Sequence, residues 1–207
     1  MSLDSNFFMV NVLVFNKWDT SAVKVQDPGL QSYISLNPIL VPKTGARYAG
    51  KKFHKSKVFI VERLINKLMV TGHKSKKHFI SSGHFTGKAQ KTYDLVEKAL
   101  EIVETKTKAN PISVFVKAIE NAAPREEIVT IEYGGARYPK AVECAPQRRV
   151  DMVLKLMTQG ARQKSFNKKK SVEDALADEI INAYNLSQSS IAISKKLDLE
   201  RQADASR

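Results

Sequence analysis

The fold is decided by the stretch EEIVTIEYGGARYPKAVECAPQRR, residues 126–149. Apolar and polar side chains alternate before the pair Gly134 and Gly135, and KAVEC continues an extended pattern after it. Such alternation around glycines predicts two strands joined by a tight turn. Pro146 then opens a helix, since proline is favoured at the first helical position. We therefore expect a β-hairpin at residues about 127–145, followed directly by a helix.

The sequence on both sides of the hairpin has helical periodicity. Apolar residues recur at steps of three and four, and candidate N-caps are Thr86, Asn110 and Ser171. Six helices are predicted, at residues 61–72, 87–106, 111–123, 146–160, 171–184 and 194–205. We expect a mainly α fold, a bundle of about six helices with one protruding β-hairpin.

Residues 1–57 are less regular, with the turn signals DPG, NP and VPKTG. We interpret them as an irregular N-terminal extension that is basic from residue 43. Residues 58–207 would then form a helical domain that carries the hairpin as an arm.

The composition bounds the class of protein. No apolar run approaches the roughly 18 to 20 residues that a membrane helix needs, and the acidic start has no cleavage-like end. Cys144 is the single cysteine, which excludes an intramolecular disulfide and a cysteine-based zinc cluster. We expect a folded cytoplasmic protein without a membrane partner.

The charge is large and localised. The chain carries a net charge of +13, and residues 43–91 hold thirteen basic side chains against one acidic. Aromatic residues interleave with this block at Tyr48, Phe53 and Phe79. Basic groups that neutralise phosphates, beside planar faces that can stack on bases, are typical of RNA-binding surfaces. The predicted partner is a nucleic acid.

Motifs for other chemistry are weak. GARYAGKK, residues 45–52, matches a P-loop until Lys52, where the motif needs a hydroxyl for magnesium. His73, His78 and His84 lie among lysines whose charge would oppose a metal ion. We expect no metal, no cofactor and no catalysis.

Two alternatives use the same basic surface. An RNA-processing enzyme would hold its substrate there and depend on one carboxylate or histidine. A DNA-binding module would use the helix from Pro146 for recognition, although VDMVLKLM within it is apolar enough to be core.

Seven segments in order, from residue 17 to residue 207, resemble the universal S-seven family of small-ribosomal-subunit proteins, most like its archaeal form. They are KWDTSAVKVQDPGLQSYISLNP, SKVFIVERLINKLM, ANPISVFVKAIENAAPREE, GGARYPKAVECAPQRR, GARQKSF, LADEIINA and AISKKLDLERQADASR. The resemblance implies helices with a protruding hairpin. It also implies binding to the 3′ major (head) domain of small-subunit ribosomal RNA beside neighbouring ribosomal proteins. The resemblance further implies a position near the exit tRNA site and messenger path, which makes tRNA and mRNA further candidate partners.

The resemblance also implies which segments face RNA: the basic segment before the first helix, the loop after it, the hairpin and the start of the following helix. The corresponding residues are Lys51, Lys52, Lys55, Lys57, Lys74, Lys76, Lys77, Arg137, Arg148 and Arg149. We add Tyr138, which the glycine turn presents, and the basic residues Arg162, Lys164, Lys168, Lys169, Lys170, Lys195 and Lys196.

Overall fold

A computed structural model describes residues 12–45, 50–71, 73–74, 77–78 and 88–207. Over these residues the chain is mainly helical, with two two-stranded antiparallel sheets. The elements are α1 Pro28–Gln31, a 3₁₀ turn His54–Lys57, α2 Ile60–Leu68, β1 His73–Lys74, β2 Lys77–His78, α3 Ala89–Thr107, α4 Pro111–Ala122, β3 Glu126–Tyr133, β4 Ala136–Glu143, α5 Pro146–Ser165, α6 Val172–Tyr184 and α7 Ile191–Asp204. The six predicted helices are confirmed as α2 to α7, and α1 is an additional single turn.

Helix starts follow the capping signals in the sequence. The Asn110 side chain accepts a hydrogen bond from the backbone N–H of Ile112 at 3.0 Å, and Pro111 follows at the first helical position. Ser171 caps α6 in the same way through the N–H of Asp174. Thr86, the third predicted cap, lies outside the described residues.

The core is organised around α6, which packs against α3, α4 and α5. The largest fully buried side chains of this core include Phe115 of α4, Leu154 and Met157 of α5, and Leu176 and Ile180 of α6. Burying a side chain of this size contributes about 1.5–3 kcal/mol relative to leaving it exposed. This apolar interior fixes the framework from which the loops and the hairpin project.

Helix α5 runs past Gly160, where the sequence predicted its end. Gly160 lies against α6, because a Cβ added there would lie 2.8 Å from Cδ of Glu179. The glycine is therefore a site of close helix packing. The helix ends instead before Phe166, whose backbone is extended.

The N-terminal segment of residues 12–45 packs onto the helices. Val14, Trp18 and Leu30 are buried in the same apolar core as the helical residues. Nε1 of Trp18 donates a hydrogen bond to Oε2 of Glu104 on α3 at 2.9 Å. The irregular segment thus contributes side chains to the interior of the bundle.

The hairpin is confirmed at residues 126–143. Its strands are antiparallel, with Ile131 opposite Tyr138 and Glu132 opposite Arg137. Gly134 and Gly135 both have positive φ, 58° and 82°, as a two-residue hairpin turn of type I′ requires. The glycine pair therefore turns the chain at the tip of a ribbon, without the strand–loop–helix order of a nucleotide cradle.

Candidate nucleic-acid interface

The basic segment before α2 divides into exposed and paired lysines. Lys51, Lys52 and Lys57 are exposed and make no ion pair with any residue in the described ranges. Lys55 forms an ion pair with Asp151 of α5. The first three ammonium groups are therefore available to an external anion, while Lys55 also joins the segment to the helical body.

A buried arginine of α2 also forms an ion pair with Asp151. Nη2 of Arg63 lies 3.1 Å from Oδ1 of Asp151, and Nη1 donates to the carbonyl of Tyr33 at 2.9 Å. Burial raises the pKa of Asp151, but the hydrogen bond from Lys55 and the charge of Arg63 outweigh it, so the pKa lies below its usual value. This carboxylate stays ionised between two cations and holds α5 against α2.

The loop after α2 contains a short ribbon. Its backbone pairs His73 with His78 and Lys74 with Lys77. Lys76, the other basic residue predicted here, lies outside the described residues. The pairing brings the Cα atoms of two predicted RNA-binding lysines directly opposite each other.

The hairpin presents a surface that is more apolar than basic. Tyr138 lies on the same face as Val129, Ile131 and Tyr133, and all four side chains are exposed. Arg137 has 74% of its side chain exposed, with Nε 3.5 Å from Oε2 of Glu132. Residues 126–143 contain four glutamates against one arginine and one lysine. The turn thus offers aromatic faces and one exposed guanidinium that is paired with Glu132.

The adjacent arginines at the start of α5 have different surroundings. Arg148 has 59% of its side chain exposed, and its Nε lies 2.8 Å from Oε2 of Glu127 at the base of the hairpin. Arg149 has only 12% exposed and donates to the carbonyl of Pro124 and to Asp27, both at 3.0 Å. Arg148 faces solvent, whereas Arg149 holds three parts of the fold together.

The basic residues at the end of α5 also separate. The ammonium group of Lys164 contacts the fully buried Glu179 at 2.6 Å and the carbonyl of Ser189 at 3.0 Å. The guanidinium carbon of Arg162 lies 4.7 Å from the ring centroid of Phe166. Lys164 is thus part of an internal ion pair, and Arg162 lies over an aromatic ring.

The linker to α6 carries the remaining lysines of this set. Lys168 and Lys169 are exposed. Lys170 is paired with Asp178 of α6. The first two are therefore the more available to a phosphate.

The two lysines of α7 point to different environments. Nζ of Lys195 lies 3.0 Å from Oδ2 of Asp198 on the same exposed helix face. Lys196 donates to the carbonyl of Asn121 at 2.8 Å. Burial lowers the pKa of Lys196, and the charges of Arg125 and Arg149 lower it further against the opposing effect of Glu200.

Sequence analysis did not single out three side chains as site residues, namely Lys88, Lys91 and Phe166. Lys88 and Lys91 lie at the start of α3, and together with Phe166 they line one cavity. The signal that could have found the lysines is GKAQK, residues 87–91, where Lys88 precedes a helix and Lys91 lies in its first turn, which holds no acidic residue.

The described part of the chain contains neither a cluster of metal ligands nor a membrane-spanning helix. No three histidine, cysteine, aspartate or glutamate side chains come together there as a set of metal ligands. No described helix is both long enough and apolar enough to cross a bilayer.

Comparison with known proteins identifies the family. A family model described as ribosomal protein S7p/S5e matches residues 30–207. The small ribosomal subunit protein uS7 of Nanoarchaeum equitans is 54% identical over 194 residues, which cover 94% of this chain and 98% of that protein. The protein of the same name from Archaeoglobus fulgidus is 48% identical over 201 residues, 97% of this chain and 98% of that protein. The one from Methanosphaera stadtmanae is 50% identical over 190 residues, 92% and 96% of the two chains. The chain therefore belongs to the ribosomal protein S7p/S5e family.

Proposed function

We propose that this protein is a structural constituent of the small ribosomal subunit that binds ribosomal RNA and neighbouring ribosomal proteins. The observation that carries the proposal is similarity along nearly the whole chain to proteins named small ribosomal subunit protein uS7. The family is one of structural proteins, so the chain acts by binding, without a catalytic step, at the ribosome in the cytoplasm.

The charge distribution supports RNA as the partner. Lys51, Lys52 and Lys57 are exposed ahead of α2, and Lys168 and Lys169 are exposed ahead of α6. Ammonium groups in water-accessible positions neutralise phosphates and release counterions, which favours association with RNA. We assign the principal phosphate contacts to these lysines and to Arg148.

A second set of basic residues supports the surface from within. Arg149, Lys164 and Lys196 donate hydrogen bonds to carbonyl groups or carboxylates of the protein. In the proposal they hold the hairpin base and the α5–α7 region in place, and their contribution to RNA affinity is indirect.

At a finer level we propose the 3′ major domain of the small-subunit RNA as the binding site, with a role in assembly of the head. The hairpin would extend toward the exit tRNA site and messenger path. Its exposed Tyr133 and Tyr138 offer planar faces for unpaired bases, and Arg137 offers one phosphate contact.

Salt-dependent binding tests the proposal. The purified chain is titrated against a transcript of the 3′ major domain, with duplex DNA of equal length as competitor. We expect the RNA to be preferred and affinity to fall steeply with salt. Equal affinity for the DNA, or an affinity that barely changes with salt, would overturn the proposal.

Substitutions of exposed lysines, compared with that of an ion-paired lysine, test the phosphate contacts. Replacing Lys51 and Lys52 by methionine should flatten the slope of log affinity against log salt by about 0.7 to 0.9 for each lysine removed. Lys17→Met is the matched change, because the Lys17 ammonium group already lies between Glu97 and Glu101 at 2.5 Å from each. It should leave the slope unchanged.

A further inference from the structure

A cavity of about 420 Å³ opens between the end of α2, the start of α3 and the end of α5. Leu68 and Leu95 provide apolar wall, and Lys88, Lys91 and Arg162 bring three cationic side chains to it. Among the described residues that line the cavity, none is acidic. An apolar cleft that three cationic side chains border favours a ligand that is partly planar or apolar and partly anionic.

The planar element is already assembled. Phe166 has 44% of its surface exposed, and the guanidinium of Arg162 lies over its ring at 4.7 Å. Both side chains line the cavity. Phenyl rings and guanidinium planes are the groups on which proteins stack unpaired RNA bases. Asn167 follows with a positive φ of 52°, so the chain turns directly after the ring.

The anionic element has its counterpart at the start of α3. Lys88 is the N-cap residue and makes no side-chain capping hydrogen bond. The first turn, all of whose residues are described, contains no acidic side chain. Lys91 is exposed one turn along. Helix N-termini favour negative charge, and here two lysines add to that preference.

We propose that this cavity binds one unpaired nucleotide of the ribosomal RNA. Its base stacks against Phe166 and Arg162, and its phosphate lies near Lys88, Lys91 and the N-terminus of α3. The assignment rests on the proposed function, because it takes RNA as the partner. It adds a base-stacking contact on the helical body to the one proposed for the tyrosines of the hairpin.

Replacing the ring is the direct test. Phe166→Leu keeps the apolar contact and removes the planar face, so affinity for the 3′ major domain transcript should fall about 5-fold to 150-fold. Tyr184→Leu is the matched control, since Tyr184 is also exposed but lies at the end of α6 outside this cavity. Phe166→Tyr, which retains a ring, should bind as the unaltered chain does.

The salt dependence separates stacking from charge. Phe166→Leu should lower affinity at every salt concentration without changing the slope, because no phosphate contact is lost. Lys91→Met should reduce the slope by about one contact. A changed slope for Phe166→Leu would mean that the substitution acts by disturbing the lysines, and the stacking assignment would be overturned.

Cross-linking locates the base and covers the case in which Phe166→Leu does not fold. Ultraviolet irradiation of the complex of the full chain with the transcript should leave a nucleotide adduct on Phe166, identified by mass spectrometry. Adducts on the hairpin tyrosines with none on Phe166 would overturn the assignment.

Free ligands distinguish the source of the nucleotide. AMP and inorganic phosphate are titrated into the RNA-free chain while the Phe166 ring signals are followed by NMR. Shifts with AMP and none with phosphate support a base site. Saturable AMP binding in a chain whose RNA affinity is unchanged by Phe166→Leu would mean a free-nucleotide site and would overturn the RNA assignment.

The outcomes also separate the two proposals. If the unaltered chain does not bind the transcript, the proposed function fails. If it binds and Phe166→Leu binds equally well, only the nucleotide cavity fails.

Discussion

The Nη2 atom of Arg149 lies 3.0 Å from Oδ2 of Asp27, although 122 residues separate the two in sequence. Nε of the same guanidinium donates to the carbonyl of Pro124, just before β3. One side chain at the start of α5 therefore joins the N-terminal segment to the base of the hairpin. Its positive charge is partnered within the protein before any RNA arrives.

Removing Arg149 should destabilise the free protein. Arg149→Ala loses two hydrogen bonds from a charged group, and each contributes about 1.5–3 kcal/mol. We expect the free energy of unfolding, measured by urea denaturation, to fall by at least the contribution of one such hydrogen bond. Arg148→Ala is the control and should change it by no more than about 1 kcal/mol, since exposed ion pairs contribute little. Equal effects of the two substitutions would contradict the assignment of Arg149 to the fold.

Removing Arg148 should weaken RNA binding. In the proposed interface the exposed guanidinium beside the hairpin base contacts a phosphate, so Arg148→Ala should lower affinity for the transcript and flatten the salt slope by about 1. Arg201 is an exposed arginine on a different helix, α7. Arg201→Ala therefore removes the same charge at another place and serves as the comparison. In addition, Glu127→Gln should raise affinity, because Glu127 competes with phosphate for Arg148. Unchanged binding in both Arg148→Ala and Glu127→Gln would remove this arginine from the interface.

Adding one methyl group at Gly160 should destabilise the bundle. A Cβ there would lie 2.8 Å from Cδ of Glu179, and overpacking of this kind costs about 1–3 kcal/mol. Alanine is favoured over glycine within a helix by about 1 kcal/mol, which offsets only part of this. Gly50→Ala is the matched control, because no heavy atom of the described residues lies within 4 Å of its added Cβ. A Gly160→Ala protein with a higher melting temperature than the unaltered chain would show that α5 and α6 separate without cost.

The ion pairs of Asp151 should make stability depend on acid pH. The pKa of Asp151 in the folded chain lies below its ordinary value of 3.8, so the unfolded chain takes up a proton first as pH falls. The contribution is therefore fully present above about pH 5 and is lost as pH falls below 3.8, through the folded pKa. We expect the difference in unfolding free energy between the unaltered chain and Asp151→Asn to be constant near neutrality. It should shrink in acid, and a difference that widens there would contradict the sign of the shift.

Local signals in the sequence were sufficient for most of the elements. The Asn110–Pro111 pair predicts the start of α4 because a cap and a proline act on their immediate neighbours. Gly134 and Gly135 predict the hairpin turn because its positive φ values favour glycine. In these cases the physical cause lies within a few residues of its effect.

Elements that depend on distant neighbours could not be predicted in this way. Gly160 resembles a helix stop, but its role is set by Glu179 on another helix. Arg148 and Arg149 are identical residues in sequence, and only Glu127, Pro124 and Asp27 make one exposed and the other internal. A count of basic residues therefore cannot separate exposed side chains from those with partners inside the protein.

Trp18 is the chain's only tryptophan, and it is buried where the N-terminal segment meets α3. Its fluorescence consequently reports on a single junction in the molecule. An emission maximum that shifts to the red before the far-ultraviolet circular dichroism of the helices is lost would mean that the segment detaches as a separate step. The protein thus carries an intrinsic optical probe for whether RNA binding tightens that junction.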